Sequence, residues 1–508
     1  MSEPQVNILL GPPGTGKTET CLRMVEHYLE MGVPPDRIGY FAFTRRANIE
    51  ARERAMFKFK LTSDDLPYFK TLHSLAYSQL SVTRSHIMTN KDYGEVSKWL
   101  KVGSFFLQSD DYGIIKDVGM GDKYLELINM ARVTQTPLRE LYNASPLRMN
   151  LDWQMVDYID RGLREYKQRK ELYDYTDMLE EFVRRDLAPR LEVLIIDEAQ
   201  DLSALQWKMV EGLIRKAKFV HIAGDDDQAI YRWAGADVEQ FIRMQGNVTI
   251  LDQSYRIPSR HHDISQKLIH KVKNRRAKDF YPRDEKGDLF WHRHSEQVDL
   301  TEGNWLLLAR TIRGANQLEE EVRQRGLLYR YDNSLSADSK ALRAVVLWEK
   351  LRAGARLHVD DVKRVYAYLK LNEGVTFGFK SMPGASPDGF YSIEDLEKDY
   401  GLLTRAPWDK ALTRISERDR RYLAACIRKG ETLMGDPRIT ISTIHRAKGA
   451  QADKVMLLTD ISNRKNMFWK QEEIDDEARV FYVGLTRAKK ELHLIQPMFS
   501  PGYSVPHG

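Results

Sequence analysis

The chain has 508 residues, 42% hydrophobic and 30% charged, which suits a folded protein of about three or four ordinary domains and excludes a disordered one. Lys+Arg 78 against Asp+Glu 73 leaves +5, a balance too even to argue by itself for a nucleic-acid partner. Two cysteines, Cys21 and Cys426, exclude a disulfide framework, a four-cysteine zinc ribbon and an iron–sulfur cluster, and they fit a reducing compartment.

In chain order, Val6 to Leu10 reads as a strand and Glu19 to Met31 as a helix. Between them, Gly11-Pro12-Pro13-Gly14-Thr15-Gly16-Lys17-Thr18 fits the phosphate-loop pattern in full. In that context backbone N–H groups of the turn and helix N-terminus face phosphate oxygens. Lys17 then reaches the outer phosphates of a nucleotide, and the Thr18 hydroxyl joins Mg²⁺. A further strand runs from Ile38 to Phe43. Residues 75–185 carry helix-period apolar positions, as in Trp153, Val156, Ile159, Leu163 and Tyr166.

The β-branched run Val193 to Ile196 reads as a buried strand ending in two carboxylates. Asp197 is suited to the water shell of Mg²⁺, and Glu198 to taking a proton from water. Alone, such a pair is a solvated strand end; beside a phosphate loop it reads as hydrolytic. The strand Phe219 to Ala223 leads into Gly224 to Trp233, where the Gln228 amide can read the γ-phosphate or the attacking water. Tyr231, Arg232 and Trp233 mix aromatic faces with a cation, a surface on which bases stack and which equally occurs as core. Strands follow at Val248 to Leu251 and Trp305 to Ala309. Residues 333–436 read as mainly helical, and Asn372 to Phe390 as a long Gly/Pro-rich loop carrying Phe377, Phe379 and Phe390. That loop is a weak candidate for a strand junction beside the plainer reading of a surface loop. Strands close the chain at Ile439 to Thr443, Val455 to Leu458 and Leu492 to Ile495.

This alternation predicts an α/β protein with two parallel-sheet cores, each interrupted by a mainly helical insertion. The first core joins 1–74 to 186–254 around the insertion 75–185. The second joins 255–332 to 437–500 around the insertion 333–436, and 501–508 reads as a flexible tail. If the cores face each other across a nucleotide, Arg256 and Arg487 can act as arginine fingers; read singly, each is a surface or salt-bridge arginine. No cationic N-terminal stretch precedes an apolar run, and no segment has membrane-spanning length, so the expectation is a cytoplasmic protein (or a viral one acting in host cytoplasm) without a membrane partner.

The motifs together resemble superfamily 1 DNA helicases of the UvrD/Rep type. They run in that family's order: GPPGTGKT at 11–18, FTRRA at 43–47, TLHS at 71–74, DEAQD at 197–201, GDDDQAIYRWAGA at 224–236, QSYR at 253–256, ART at 309–311, TIHRAKG at 443–449 and VFYVGLTRAKK at 480–490. The resemblance implies two RecA-like P-loop motor domains, ATP and Mg²⁺ as cofactors, and single-stranded DNA and duplex junctions as partners, with a working monomer compatible. It implies that Gln228, Arg256 and Arg487 sense the γ-phosphate, that Tyr255 stacks on adenine, and that Phe43, Thr44, Thr71, His73, Tyr231, Trp233, Thr443 and His445 form the DNA track. It also implies 3′→5′ movement. Family members usually carry an adenine-reading glutamine on a helix before the phosphate loop; here the loop starts at Gly11. Glu19 stands where an arginine is frequent, Gln451 where a glutamate near the ribose is common, and Ala234 where an arginine follows the tryptophan. Two alternatives stay open: a nucleotide-gated single-strand binding protein without processive unwinding, and an RNA-directed motor of the same superfamily.

Overall fold

The computed structural model describes residues 4–42, 45–103, 105, 120–332, 334–461, 470–497 and 502–506. It divides into two compact units, 1–285 with 469–482, and 286–468 with 483–508. The division groups 255–285 and 469–482 with the first unit, whereas the sequence reading assigns 255–332 and 437–500 to the second core. No helix among the described residues is long and apolar enough to cross a membrane.

The first unit is built on six parallel strands: β1 (Gln5–Leu10), β2 (Ile38–Ala42), β3 (Phe69–Lys70), β4 (Val193–Asp197), β5 (Phe219–Gly224) and β6 (Asn247–Ile250), in the spatial order β3-β2-β4-β5-β1-β6. The near-continuous apolar runs follow from burial on both faces. Alternate residues feed opposite cores. Ile8, Leu10, Leu194, Ile196, Val220 and Ile222 pack on one side, and Leu9, Ile38, Tyr40, Val193, Ile195 and Ala223 on the other. Because every strand is parallel, their carboxyl ends share one edge, and register pairs Leu10 with Gly224 and Ala42 with Asp197 there.

Helices Asn90–Leu100, Met120–Val133, Leu138–Ala144 and Trp153–Lys170 form most of the first insertion. The predicted stripe is real: Val156, Ile159, Leu163 and Tyr166 are buried in a core of the insertion's own. A Cβ on Gly162 would meet Leu100 Cδ2 at 2.5 Å, so this glycine sets the approach of two helices. A buried ion cluster ties helix Met120–Val133 to helix Tyr175–Arg184: Arg132 reaches Asp174 at 2.7 Å, Asp177 at 2.5 Å and Glu180 at 2.7 Å, and Lys167 reaches Asp174 at 2.7 Å. After β6 the chain forms a short parallel pair, β7 (Gln253–Pro258) with β8 (Tyr281–Arg283), around helix Ser259–Ile269.

The second unit holds a seven-stranded sheet. Its strands are β9 (Asp288–His292), β10 (Trp305–Ala309), β11 (Tyr329–Tyr331), β12 (Ser334–Leu335), β15 (Ile439–Thr443), β16 (Ala452–Leu458) and β17 (Ala488–Ile495). Their order is β12-β11-β15-β10-β16-β17-β9, with β12 antiparallel to β11 and the other pairs parallel. The second insertion contains helices Ser339–Arg352, Val359–Tyr366, Ile393–Asp399, Trp408–Ala411 and Glu417–Arg428 and the small pair β13 (Leu357–His358) with β14 (Phe390–Tyr391). Its Trp348, Leu351, Tyr366 and Leu423 belong to the same apolar cluster as Leu307 and Ile441 of the sheet. The Asn372–Phe390 segment is irregular apart from a short turn of helix at Phe379–Ser381; Phe377 is 75% exposed, and Phe379 packs against the unit's core.

The tail differs from expectation. Within 502–506, Val505 is 4% exposed and the Tyr503 N–H donates to Thr459 O at 2.8 Å. A single apolar side chain and a carbonyl just past the end of a strand dock a segment whose composition reads as loose.

Candidate nucleotide site and strand track

The phosphate loop runs off β1 at the carboxyl edge of the first sheet and ends in helix Lys17–Glu30, capped by Gly16. Two of its glycines are sterically required. A Cβ on Gly11 would meet Lys17 Cβ at 2.6 Å. Gly14 has φ +78°, and a Cβ there would meet Arg256 Cβ at 2.5 Å and Ser254 Oγ at 2.8 Å. The Thr15 hydroxyl closes the turn onto Pro12 O at 2.8 Å, and Ser254 Oγ donates to Pro13 O at 2.8 Å. The Tyr255 N–H donates to Gly14 O at 2.9 Å. The loop is thus held from inside by its own threonine and from outside by β7.

β4 delivers the acidic pair to the same edge. Lys17 Nζ lies 2.8 Å from Asp197 Oδ1 and 2.6 Å from Glu198 Oε1, and Thr18 Oγ1 donates to Asp197 Oδ2 at 3.0 Å. Burial works to lower the Lys17 pKa, but the facing carboxylates outweigh it and hold the ammonium above its ordinary value. Glu198 takes a left-handed backbone conformation, φ 57°, uncommon for this residue type and an observed local strain at the strand end. Thr18 and Asp197 bring one hydroxyl and carboxylate oxygens together, the all-oxygen donor set that a small hard divalent cation selects. Arg256 is half-buried beside the loop, and burial pushes its guanidinium down to about 10 against the pull of Glu198, so it stays charged. The Tyr255 ring is 74% exposed and offers an open face.

Three further side chains join these groups. Tyr40 OH donates to Asp197 Oδ2 at 3.2 Å, brought there by the pairing of β2 with β4. Gln200 Nε2 donates to Glu198 Oε2 at 2.6 Å while its Oε1 accepts from the Asp225 N–H at 3.0 Å. Asp225 Oδ2 accepts from Gln228 Nε2 at 2.7 Å, and burial raises the Asp225 carboxyl to about 6 despite nearby Lys278. Glu198 and Gln228 are therefore linked by one short polar chain. Gln200 lies inside the acidic motif and was open to notice; Tyr40 and Lys278 lie far along the chain from their partners. Glu19, in the first turn of the loop helix, pairs with Arg54 at 2.7 Å and Arg23 at 3.2 Å, and the Arg54 hydrogen bond leads in holding its carboxyl below the usual range.

Of the track residues in this unit, Thr71 caps helix Leu72–Leu80 by accepting from the Ser74 N–H at 3.2 Å, and His73 sits edge-on to Tyr175 at 6.4 Å. Both line a small cleft with Phe41, Leu202 and Gln206. Trp233 is 46% exposed, whereas Tyr231 is 2% exposed and packs beside it at 6.5 Å. Tyr231 thus backs the tryptophan and offers no open face of its own. Phe43 and Thr44 lie outside the described residues.

The second unit carries the remaining candidates. Thr443 closes β15 and His445 follows it; both are buried. Burial, then Arg310 and Lys448, push His445 down to about 3, so its imidazole is neutral at physiological pH. Arg487 is fully buried: Nε donates to Val483 O at 2.8 Å, Nη2 to Thr486 Oγ1 at 3.1 Å and Nη1 to Ala450 O at 3.5 Å. Gln451 is exposed in the loop before β16.

Comparison with known proteins matches two stretches of the chain. The UvrD/REP helicase N-terminal domain matches residues 2–249, and the UvrD-like helicase C-terminal domain matches residues 420–497. The chain is 20% identical to ATP-dependent DNA helicase PcrA of Bacillus subtilis over 96% of this chain and 80% of that protein. It is 23% identical to the putative ATP-dependent DNA helicase YjcD of the same organism over 96% of this chain and 76% of that protein. Two parallel-sheet units, a phosphate loop facing an acidic strand end, and both matched domains lead to one conclusion: the chain belongs to the UvrD/REP helicase family of superfamily 1.

Proposed function

We propose that this helicase hydrolyses ATP to move along single-stranded DNA in the 3′→5′ direction and separates strands where it meets a duplex junction. The observation that carries the reading is the meeting of Lys17, Thr18, Asp197 and Glu198 at one sheet edge, joined through Gln200 and Asp225 to Gln228, on a turn whose far end exposes Trp233. Fuel chemistry and strand contact then share one short element. The likeness to an ATP-dependent DNA helicase and a putative one supports the substrate and the fuel. Direction rests on family likeness alone.

In the proposed reaction Lys17 binds the outer phosphates and Glu198 accepts a proton from the attacking water. The water oxygen bonds to the γ-phosphorus as the bond to the bridging oxygen breaks, and ADP leaves. Gln200 orients Glu198 by donating to Oε2, while Lys17 faces Oε1. Thr18 and Asp197 would hold Mg²⁺, whose charge would draw phosphate oxygens into line. Arg256, beside Gly14, and Arg487, in the second unit, are proposed to neutralise charge growing on the transferred phosphate. The open ring of Tyr255 would stack on the base, with Gln451 as a ribose partner. Thr71, His73 and Trp233 in the first unit and Thr443 and His445 in the second are proposed strand contacts, as are Phe43 and Thr44.

Unwinding of 3′-tailed against 5′-tailed duplex DNA with a panel of nucleoside triphosphates tests the proposal. The expected result is ATP-dependent separation of the 3′-tailed substrate alone. Strand-stimulated hydrolysis without any separation would select the nucleotide-gated binding protein instead, and stronger stimulation by RNA than by DNA would select the RNA-directed motor.

A further inference from the structure

The turn 225–233 is gripped from outside by residues that no motif singles out. Lys278 Nζ lies 3.2 Å from Asp225, 2.7 Å from Asp226 and 3.0 Å from Asp227. Arg275 forms a two-pronged pair with Asp227 at 2.8 and 2.6 Å, and the Arg276 N–H donates to Asp226 Oδ2 at 2.8 Å. The three carboxylates and Lys278 are fully buried. Asp225 in turn accepts from the Gln228 amide. The far end of the turn is tied to the same segment at one remove. Arg479 donates to Asn274 O at 2.6 Å and pairs with Asp476 at 3.3 Å, and Asp476 lies 3.8 Å from Arg232, the neighbour of Trp233.

Stability is a poor reason for such a cluster, since apolar groups of similar volume often serve a core equally well. What a buried network of paired charges supplies is a single geometry, because any displacement leaves a charge without its partner. Arg275 adds planarity: its fork fits one carboxylate orientation. Segment 274–278 therefore fixes both ends of a turn that has Gln228 near its start and Trp233 at its finish.

We propose that Lys278 and Arg275 are positioning residues that hold Gln228 and Trp233 on one rigid turn, so that nucleotide state at one end alters strand grip at the other. The inference rests on the roles proposed above for Gln228 and Trp233. Neither cation is assigned contact with phosphate or DNA; both act through the aspartates.

The test uses the full chain and measures ATPase with and without a single-stranded oligodeoxynucleotide for Lys278→Met, Gln228→Ala, the double variant and Arg275→Lys. Lys278→Met should lower strand-stimulated kcat about tenfold or more while KM for ATP moves less than about threefold. The double variant should lose no more than Gln228→Ala alone, because Lys278 acts through that glutamine. Arg275→Lys keeps the charge but loses the fork, so it should lower the stimulation ratio by a smaller factor; it carries the test if Lys278→Met does not fold. A folded Lys278→Met with a lower Tm but unchanged kcat and stimulation, or losses that simply multiply in the double variant, would overturn the inference. A wild-type protein without any strand stimulation would sink the helicase reading and this inference together, whereas a stimulated wild type beside a normally stimulated Lys278→Met sinks this inference alone.

Discussion

The two units hold their key charges differently. In the first, opposite charges meet at the sheet edge, with Lys17 between Asp197 and Glu198 and the three aspartates of the turn on Lys278 and Arg275. In the second, Arg487 donates to the carbonyls of Val483 and Ala450 and to the Thr486 hydroxyl. The insertions contrast as well. The first has an apolar core of its own and is tied through the Arg132 ion cluster, while the second shares one continuous apolar core with its sheet. The lesson is that the first unit joins its insertion through a polar cluster, and the second packs sheet and insertion as one apolar body.

The largest expected effect comes from removing the buried arginine of the second unit. Arg487→Ala should lower strand-stimulated ATP turnover by about 10³–10⁵ with the fold intact, read by steady-state hydrolysis. Turnover within a few-fold of wild type would make Arg487 a structural arginine. Next in size, Glu198→Gln should cost roughly 10²–10⁴ in turnover and leave single-strand binding measurable; full activity would reject the base assignment. Trp348→Ala probes the shared core: Trp348 is fully buried and its indole N–H donates to Ala406 O at 3.0 Å. The loss should be about 3–5 kcal/mol and should loosen sheet and insertion together in hydrogen exchange. Exchange confined to the insertion would mean the core is not continuous in energy.

Smaller effects refine the picture. Trp233→Ala should weaken strand affinity by about 1–3 kcal/mol while basal hydrolysis changes less, measured by fluorescence titration; an unchanged DNA response would make it core packing. A further effect concerns pH. His445 is held down to about 3 by burial and two cations, below its ordinary value. The unfolded chain then binds the proton that the folded chain refuses, so stability falls as pH drops from about 6.5 toward 3, by at most about 1.4 kcal/mol per unit. His445→Asn should flatten that acid limb in thermal melts, and an unaltered limb would place the acid sensitivity elsewhere.

Much of this was legible in order along the chain. A phosphate loop is a local device: Gly11 is required by its contact with Lys17, Gly14 by its φ of +78°, and Lys17 and Thr18 open the helix that follows at once. The buried parallel strands announced themselves as β-branched runs, and the stripe from Val156 to Tyr166 as helical period. Short strands such as Phe69–Lys70 and Tyr329–Tyr331 did not, because two or three residues cannot display a period. The docked tail was missed for a related reason, since one buried valine leaves no pattern.

What the amino-acid order determined alone was the chemistry available: a phosphate-binding loop, an acidic strand end and aromatic turns in a recognisable succession. What the tertiary structure alone decided was which side chains serve that chemistry from afar. Tyr40 reaches Asp197 from 157 positions away, Lys278 reaches Asp226 from 52, and Tyr231 turns inward while Trp233 faces out. Local spacing dictates contacts within a turn of helix or a strand, whereas contacts between distant segments depend on which strands pair and which faces close, and no short stretch of sequence carries that information.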